Sequence, residues 1–312
     1  MLSRRHLRIR VMQALYAWQQ SDNKSAALAE SELVKGTERM YDLYLQLLSF
    51  YCELAHAEEV YYADLPASVL TGERRTAVRY LNDNLFIKWL NENASFNKQV
   101  KDRKISWQAD NDTIKKAFFE MRKMPFFNAF ISNPAPDIKA EVDFARHVAG
   151  DIISKKEFVR HTVEEKNIYW AEGFEIICNM VVKTIDSGSS NGKFHLSDLY
   201  RDEEEDVQFM KEVLHKTIAN DEYFTKMIAE RTESWDTERI ALVDILLMKM
   251  ALCEILFLNN IPVKVSINEY IDISKDYSTP NSKGFINGVI DNIVISLKKD
   301  GKIVKTGRGL ME

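Results

Sequence analysis

The chain is short of the residues that break helices. Six prolines and eleven glycines in 312 residues leave long stretches free to follow a 3.6-residue period, which argues against a turn-rich β architecture and for an all-α fold. Cysteine is scarce as well. Cys52, Cys178 and Cys253 stand far apart in apolar helical sequence, so neither a disulfide framework nor a metal cluster is expected, and they read as buried, reduced thiols. His56, His147, His161, His195 and His215 are scattered, and there is no nucleophile–base pair or Gly-rich phosphate loop. No enzymatic activity, cofactor or metal is therefore expected. No apolar run approaches about 18 residues without a charge, so no transmembrane helix is expected. The start, Met1-Leu2-Ser3-Arg4-Arg5, leads into charged helical sequence rather than an apolar signal core, which points to a cytoplasmic protein. Positive charge is also lacking overall. With a formal net charge of −5, any site for nucleic acid has to be a local patch.

What is present is helical periodicity. Residues 4–20 form an amphipathic pattern with Leu7, Val11, Ala14, Leu15 and Trp18 on one stripe and Arg4, Arg5, Arg8 and Arg10 crowding the first turns. Further helices are expected at 37–63, at 73–92 opening at Thr71-Gly72, and in short segments at 96–102 and 110–124. Pro125, Pro134 and Pro136 suggest an irregular joint. Helices are expected again at 138–155 and 157–183. Ser187-Gly188-Ser189-Ser190-Asn191-Gly192 is the clearest linker. Beyond it come helices at 198–220, 221–230 and, strongly apolar, 236–258, with the acidic run Asp202–Asp206 read as a solvated helix start favoured by the helix dipole. Tyr41, Tyr44, Phe50, Tyr51, Tyr61, Tyr62, Phe126, Phe127 and Phe130 could build a core or a docking face; their helical spacing favours core.

A gapless similarity at an offset of 65 residues pairs Phe144/Phe209, Val148/Val213, Ile153/Ile218, Glu157/Glu222, Glu165/Glu230 and Trp170/Trp235 as identities. Two helix sets with similar packing and a genuine duplication both account for it. Either way, 138–183 is expected to pack much as 203–248 does.

The last third is the most informative. Pro262 stops the apolar helix before it. Ser266 and Glu269 have the spacing of a capping box, which predicts a helix from Ile267. Ser278-Thr279-Pro280-Asn281 ends that helix, and Ser282 is placed to cap a final one whose stripe is Phe285, Ile286, Val289, Ile290, Ile293 and Leu297. Gly288 lies inside this pattern, where close helix packing is the default reason for a glycine.

The segments Pro262-Val263-Lys264-Val265-Ser266-Ile267-Asn268-Glu269 and Asn281-Ser282-Lys283-Gly284-Phe285-Ile286-Asn287-Gly288-Val289-Ile290-Asp291 closely resemble the C-terminal half of the NusB family of bacterial transcription antitermination factors. The opening, Arg4-Arg5-His6-Leu7-Arg8 followed by Gln13-Ala14-Leu15-Tyr16-Ala17-Trp18, resembles the start of the same family. Lys249, Cys253 and Gly284 depart from the residues most usual in the family at those places. The resemblance covers about 1–25 and 198–300. It implies a NusB-like two-subdomain helical bundle enlarged by an inserted helical region. The first helix would be 1–25, the insertion 26–197, the remainder of the NusB-like core 198–305, and a C-terminal tail 306–312.

By that resemblance the protein is an antitermination factor. It would bind boxA-type single-stranded RNA together with the small-subunit ribosomal protein NusE, and join the RNA polymerase elongation complex through other Nus factors. Carried over by position, Arg4, Arg5 and Arg8 would meet phosphates, Gln13 and Tyr16 would face bases, and Tyr277, Asn281 and Ser282 would complete the RNA site. Glu238 and Asp244 match acidic positions of the family's partner surface and would meet a basic ribosomal protein. Blander readings stay open. Tyr16 suits a core edge, Asn281 a turn after Pro280, and the two acids suit ordinary exposed helix positions. Two rival functions are a protein-interaction module whose insertion covers the RNA face, and an RNA-modifying enzyme with a NusB-like domain. The second lacks room for a catalytic domain within this sequence.

Overall fold

The computed structural model describes residues 1–66, 78–167, 169–171, 173–232 and 240–310. Among the described residues the regular structure is helical and there is no strand, so the protein is all-α. In chain order the helices are α1 (Arg4–Gln20), α2 (Ala26–Ala63), α3 (Leu85–Glu92), α4 (Ala94–Asp102), α5 (Asn111–Arg122), α6 (Pro125–Ser132), α7 (Ile138–His147), α8 (Glu157–Lys166) and α9 (Phe174–Ser187). They continue with α10 (Glu203–Ala219), α11 (Asp221–Thr232), α12 (Leu242–Phe257), α13 (Val263–Tyr277) and α14 (Ser282–Lys299). Helix α7 runs directly into a π-helical turn at Val148–Ser154. The chain divides into two compact units, one of Thr37–Leu199 with Met1, the other of Leu2–Gly36 with Tyr200–Glu312.

Side-chain caps set many of the boundaries. Ser3 accepts from the His6 amide while His6 Nδ1 accepts from the Ser3 amide, a reciprocal pair that fixes the start of α1. At the other end Lys24 Nζ donates to the carbonyls of Trp18 and Gln19. Asn84, Asn93, Asp137 and Asp202 each accept from an amide in the first turn of the helix that follows.

Several boundaries differ from the sequence expectation, each for a local reason. Over the described part of the helix expected at 73–92, there is a 3-10 turn at Leu81–Asp83 and then α3, which starts where Asn84 caps Phe86 and Ile87; residues 67–77, with Thr71 and Gly72, lie outside the described residues. Pro125 opens α6 instead of marking a joint, since a proline at the first helical position loses no hydrogen bond. The expected 157–183 helix is interrupted between Lys166 and Phe174. Helix α13 starts at Val263, a turn earlier than Ile267, with Pro262 at its cap. Ser266 is therefore inside the helix and fully buried, and its hydroxyl serves Glu254 instead of capping. Asn281, not Ser282, holds the cap position of α14. Gly288 is exposed and a Cβ there would meet nothing within 4 Å, so close packing is not its reason, and nothing in the structure explains it.

The first unit has an aromatic core. Tyr44, Phe50, Tyr51, Phe86, Trp107, Phe118, Phe127 and Phe174 are fully buried. Their polar atoms are satisfied: Tyr51 Oη donates to the Ala145 carbonyl at 2.8 Å, Trp107 Nε1 to the Gln46 carbonyl at 2.9 Å, and Tyr44 Oη bonds Thr184 and the Ser197 amide. This is what burying Tyr and Trp demands. Tyr62 and Phe130 are buried too, while Tyr41, Tyr61 and Phe126 are half-buried, so core is the better account of these aromatics. In the second unit α12 is the central element. Leu246 through Ile255 are all buried, as an all-round apolar helix must be, and α1, α10, α11, α13 and α14 pack around it.

The 65-residue offset brings α7 with its π turn onto the span of α10, and α8 onto that of α11. Phe144 and Phe209 are both buried, as are Val148 and Val213. The π turn is where the two differ. Trp235 of the repeat lies outside the described residues. The thiols of Cys178 and Cys253 are buried and that of Cys52 half-buried; burial pushes all three up to about 12, away from reactive thiolate. No helix among the described residues is long and apolar enough to cross a membrane.

Glu58 makes the stability of the first unit depend on pH. Its carboxyl is 1% exposed, accepts the Leu81 amide at 2.6 Å and has its other oxygen without a partner among the described residues. Burial raises its pKa to about 7, against the downward pull of the Leu81 N–H. A carboxyl whose pKa is higher folded than unfolded holds its proton more tightly when folded, so stability falls as pH rises from about 4.5 to about 7. Glu58→Gln is expected to flatten that slope and to gain most above pH 7, measured as urea midpoints across the range. Parallel profiles for the two proteins would refute this account.

Candidate nucleic-acid interface

The second unit is organised around one buried carboxylate. Glu254, on α12, is fully buried and accepts four hydrogen bonds. Arg8 Nε and Nη2 donate to its two oxygens at 2.7 and 2.9 Å, Tyr270 Oη donates at 2.6 Å and Ser266 Oγ at 2.9 Å. α1, α12 and α13 thus meet on one group. Burial on its own would lower the Arg8 pKa, but Glu254 outweighs it and the net shift is upward. The Tyr270 phenol is pushed well above its usual value, first by burial and then by the carboxylate beside it. A bidentate arginine and two hydroxyls leave the charge well compensated.

One turn back along α1 the side chains reach solvent. Arg4 and Arg5 are about two-fifths exposed and both are paired: Arg4 with Asp206 at 3.0 Å and Glu205 at 3.7 Å, Arg5 with Glu269 at 2.9 Å and Asp272 at 2.8 Å. The Arg4 guanidinium lies 4.5 Å from the centroid of Phe209. These residues border an open groove of about 1030 Å³ whose lining also includes Phe209, Ile261, Pro262, Val265 and Arg308. Both guanidiniums stay partly open to solvent while Asp206 is buried, so an incoming anion can reach either arginine and competes more readily for Arg5.

The expected RNA residues do not all gather at this groove. Arg8 departs most. It is 3% exposed with its guanidinium taken up by Glu254, which makes it a residue that positions α1 rather than one presented to a phosphate. Gln13 and Tyr16 lie farther along α1, about 12 to 16 Å from Arg5 at 1.5 Å per residue. Gln13 is half-buried and accepts from Arg10 at 2.8 Å, and Tyr16 is 43% exposed. Tyr277, half-buried, and Asn281, exposed, sit at the C-terminal end of α13 and the cap of α14. Ser282 is 2% exposed and its hydroxyl donates to Asp244 at 2.7 Å. Asp244 is itself buried and also accepts from Ser278 at 2.5 Å. Both were expected at a surface; instead Asp244 ties the loop between α13 and α14 to α12. Glu238 lies outside the described residues. The sequence reading missed Asp206, Glu269 and Asp272 as arginine partners, and Arg308. A signal for Glu254 was there: a carboxylate in the apolar run Met250–Phe257 requires a buried partner.

The NusB family model matches residues 174–294. The chain carries a NusB-family domain. The match begins at α9, ahead of Asp198 where the resemblance by motif starts. The NusB-like segment is 41% identical over 103 residues to the transcription antitermination protein NusB of Salinibacter ruber, covering 33% of this chain and 64% of that protein. It is 38% identical over 104 residues to the NusB of Chloroherpeton thalassium, covering 33% and 49%. A third similarity, 35% over 92 residues, is to the NusB of Natranaerobius thermophilus, covering 30% and 66%. The chain thus spans about half to two-thirds of the length of these relatives. No solved structure matches it.

The Glu254 hub has a measurable consequence for the NusB-like unit. Arg8→Ala leaves a buried carboxylate without its cation and is expected to destabilise by about 3–5 kcal/mol, read from denaturant unfolding. Arg8→Met combined with Glu254→Leu is expected to recover most of that loss, because no charge is then stranded. A double variant as unstable as Arg8→Ala would show that packing, rather than charge, sets the cost.

Proposed function

We propose that this protein is a non-enzymatic transcription antitermination factor of the NusB type. It binds boxA-type single-stranded RNA with the small-subunit ribosomal protein NusE and holds that RNA to the elongating polymerase in the cytoplasm, favouring complete transcription of ribosomal RNA operons. The observation that carries this reading is the NusB-family match to a segment reaching from α9 to α14, taken with the arginine-bordered groove in the same unit as α10–α14. Residues 26–197 are read as an enlargement of the NusB-like core and 306–312 as its tail.

Within this reading Arg4 and Arg5 exchange carboxylate partners for phosphates, an electrostatic contact that positions RNA without specifying its sequence. Tyr16 offers an exposed ring for a base to stack on, and Gln13, Tyr277 and Asn281 supply polar edges and a further ring. Arg8 acts indirectly, by holding the first turn of α1 in register. Ser282 and Asp244 act in the same way on the loop before α14. Contact with NusE then rests on surface other than Asp244.

The test is binding of the purified chain to a boxA RNA and to a scrambled control, with and without the ribosomal protein, over a salt series. Tighter binding to boxA, strengthened by the partner, is expected. Equal binding to both RNAs under every condition would leave a NusB-like fold used for protein interaction. Tyr16→Ala is expected to weaken binding by about tenfold with little change in salt slope. Arg5→Ala is expected to lower the slope by about 0.7, the counterion share of one single-strand phosphate.

A further inference from the structure

The last residues of the chain, beyond the stretch matched by the NusB family, are fastened to the NusB-like unit. After α14 the chain reverses at Gly301, whose φ is +66°, with the Lys302 amide donating to the Leu297 carbonyl at 2.9 Å. It then returns over the C-terminal end of α12. Lys305 Nζ donates to the carbonyls of Glu254 and Leu258, each at 3.0 Å, and so closes that helix end. The Thr306 amide donates to the Asn259 carbonyl at 2.9 Å. Gly309 is buried, and a Cβ there would fall 1.9 Å from the Asn259 carbonyl oxygen. That is a backbone contact which no side chain can share. Arg308 lies between these last two fastenings.

Arg308 is exposed and lines the groove bordered by Arg4 and Arg5. Those two arginines are each engaged by a pair of carboxylates, whereas Arg308 has no ion-pair partner among the described residues. It also ends a basic segment. Residues 298–308 carry Lys298, Lys299, Lys302, Lys305 and Arg308 against the single carboxylate Asp300, in a chain whose net charge is −5. A backbone held this tightly, carrying at the groove a cation with no ion-pair partner among the described residues, pre-organises that cation for an anion.

We propose that the C-terminal strap, Lys302–Leu310, is part of the RNA interface, with Arg308 as the groove's principal phosphate ligand. The inference rests on the RNA-binding reading above. Because Arg308 is exposed at the groove and has no ion-pair partner among the described residues, it engages a phosphate before Arg4 and Arg5 exchange theirs. Gly309 and Lys305 act by positioning Arg308.

The experiment uses the full chain and a fluorescein-labelled single-stranded boxA RNA of about a dozen nucleotides, with binding followed by anisotropy from about 50 to 300 mM potassium chloride. Arg308→Ala is expected to weaken binding about threefold at the lowest salt and to reduce the salt slope by about 0.7. Arg308→Lys is expected to keep the slope. Gly309→Val retains the arginine but unseats the strap, and is expected to match Arg308→Ala in both affinity and slope. The double variant should lose no more than either single one. Circular dichroism and thermal melting establish that each variant is folded. Wild-type binding with an unchanged affinity and slope for Arg308→Ala would overturn the role of the strap and leave the RNA-binding reading standing. Absence of RNA binding by the wild type would overturn both.

Discussion

Placing a carboxylate on the buried face of a largely apolar helix constrains everything around it. Helix α12 is buried along its whole central length, and Glu254 sits within it at 0% exposure. An unpaired charge there would cost several kcal/mol or force the group to take up a proton. The cation that answers it comes from the other end of the chain, Arg8, with Tyr270 and Ser266 supplying the remaining donors. A bidentate guanidinium permits little rotation or sliding, so this one contact sets the register of α1 against α12 and α13. Arg4 and Arg5 stand on the next turn toward the N-terminus, and the same register carries them to the groove edge.

The electrostatics of that edge follow from compensation. An acidic protein offers a polyanion little long-range attraction, and the arginines at the start of α1 are balanced by Glu205, Asp206, Glu269 and Asp272. These pairs are partly open to solvent on the arginine side, with Asp206 alone among the four acids buried. They hold the side chains in place while leaving them available, unlike the buried Arg8. Three arginines within five residues of sequence thus divide into one that builds the unit and two that face outward.

The larger unit presents a different economy. Its core is made of rings whose polar atoms are bonded to main-chain carbonyls and hydroxyls, and its buried ion pair, Arg79 with Glu141 at 2.5 Å, is completed by Asn84 donating to the same carboxylate at 2.7 Å. The helices related by the 65-residue offset keep their spans but not their neighbours: α8 packs on the π turn that follows α7, whereas α11 packs on α12 and α14.

Much of this was legible in the sequence because it is local. Scarcity of proline and glycine, the 3.6-residue stripes and the breaker clusters determined an all-α protein, the span of α1 and the apolar helix at α12, and the motifs at both ends carried the family. What the sequence left undecided were choices made between distant residues. The Ser266–Glu269 spacing suits a cap, yet Ser266 turns to Glu254 and Glu269 to Arg5. Arg8 reads like its neighbours Arg4 and Arg5 until a partner 246 residues away claims it. Ser282 and Asp244 look like surface groups until each satisfies the other. Arg308 looks like tail until Gly309 seats it against Asn259. Helical periodicity is a property of neighbours and can be read along the chain. The pairing of buried charges and donors is a property of the fold, and only the tertiary structure decides which arginine is taken up inside and which stays at the surface.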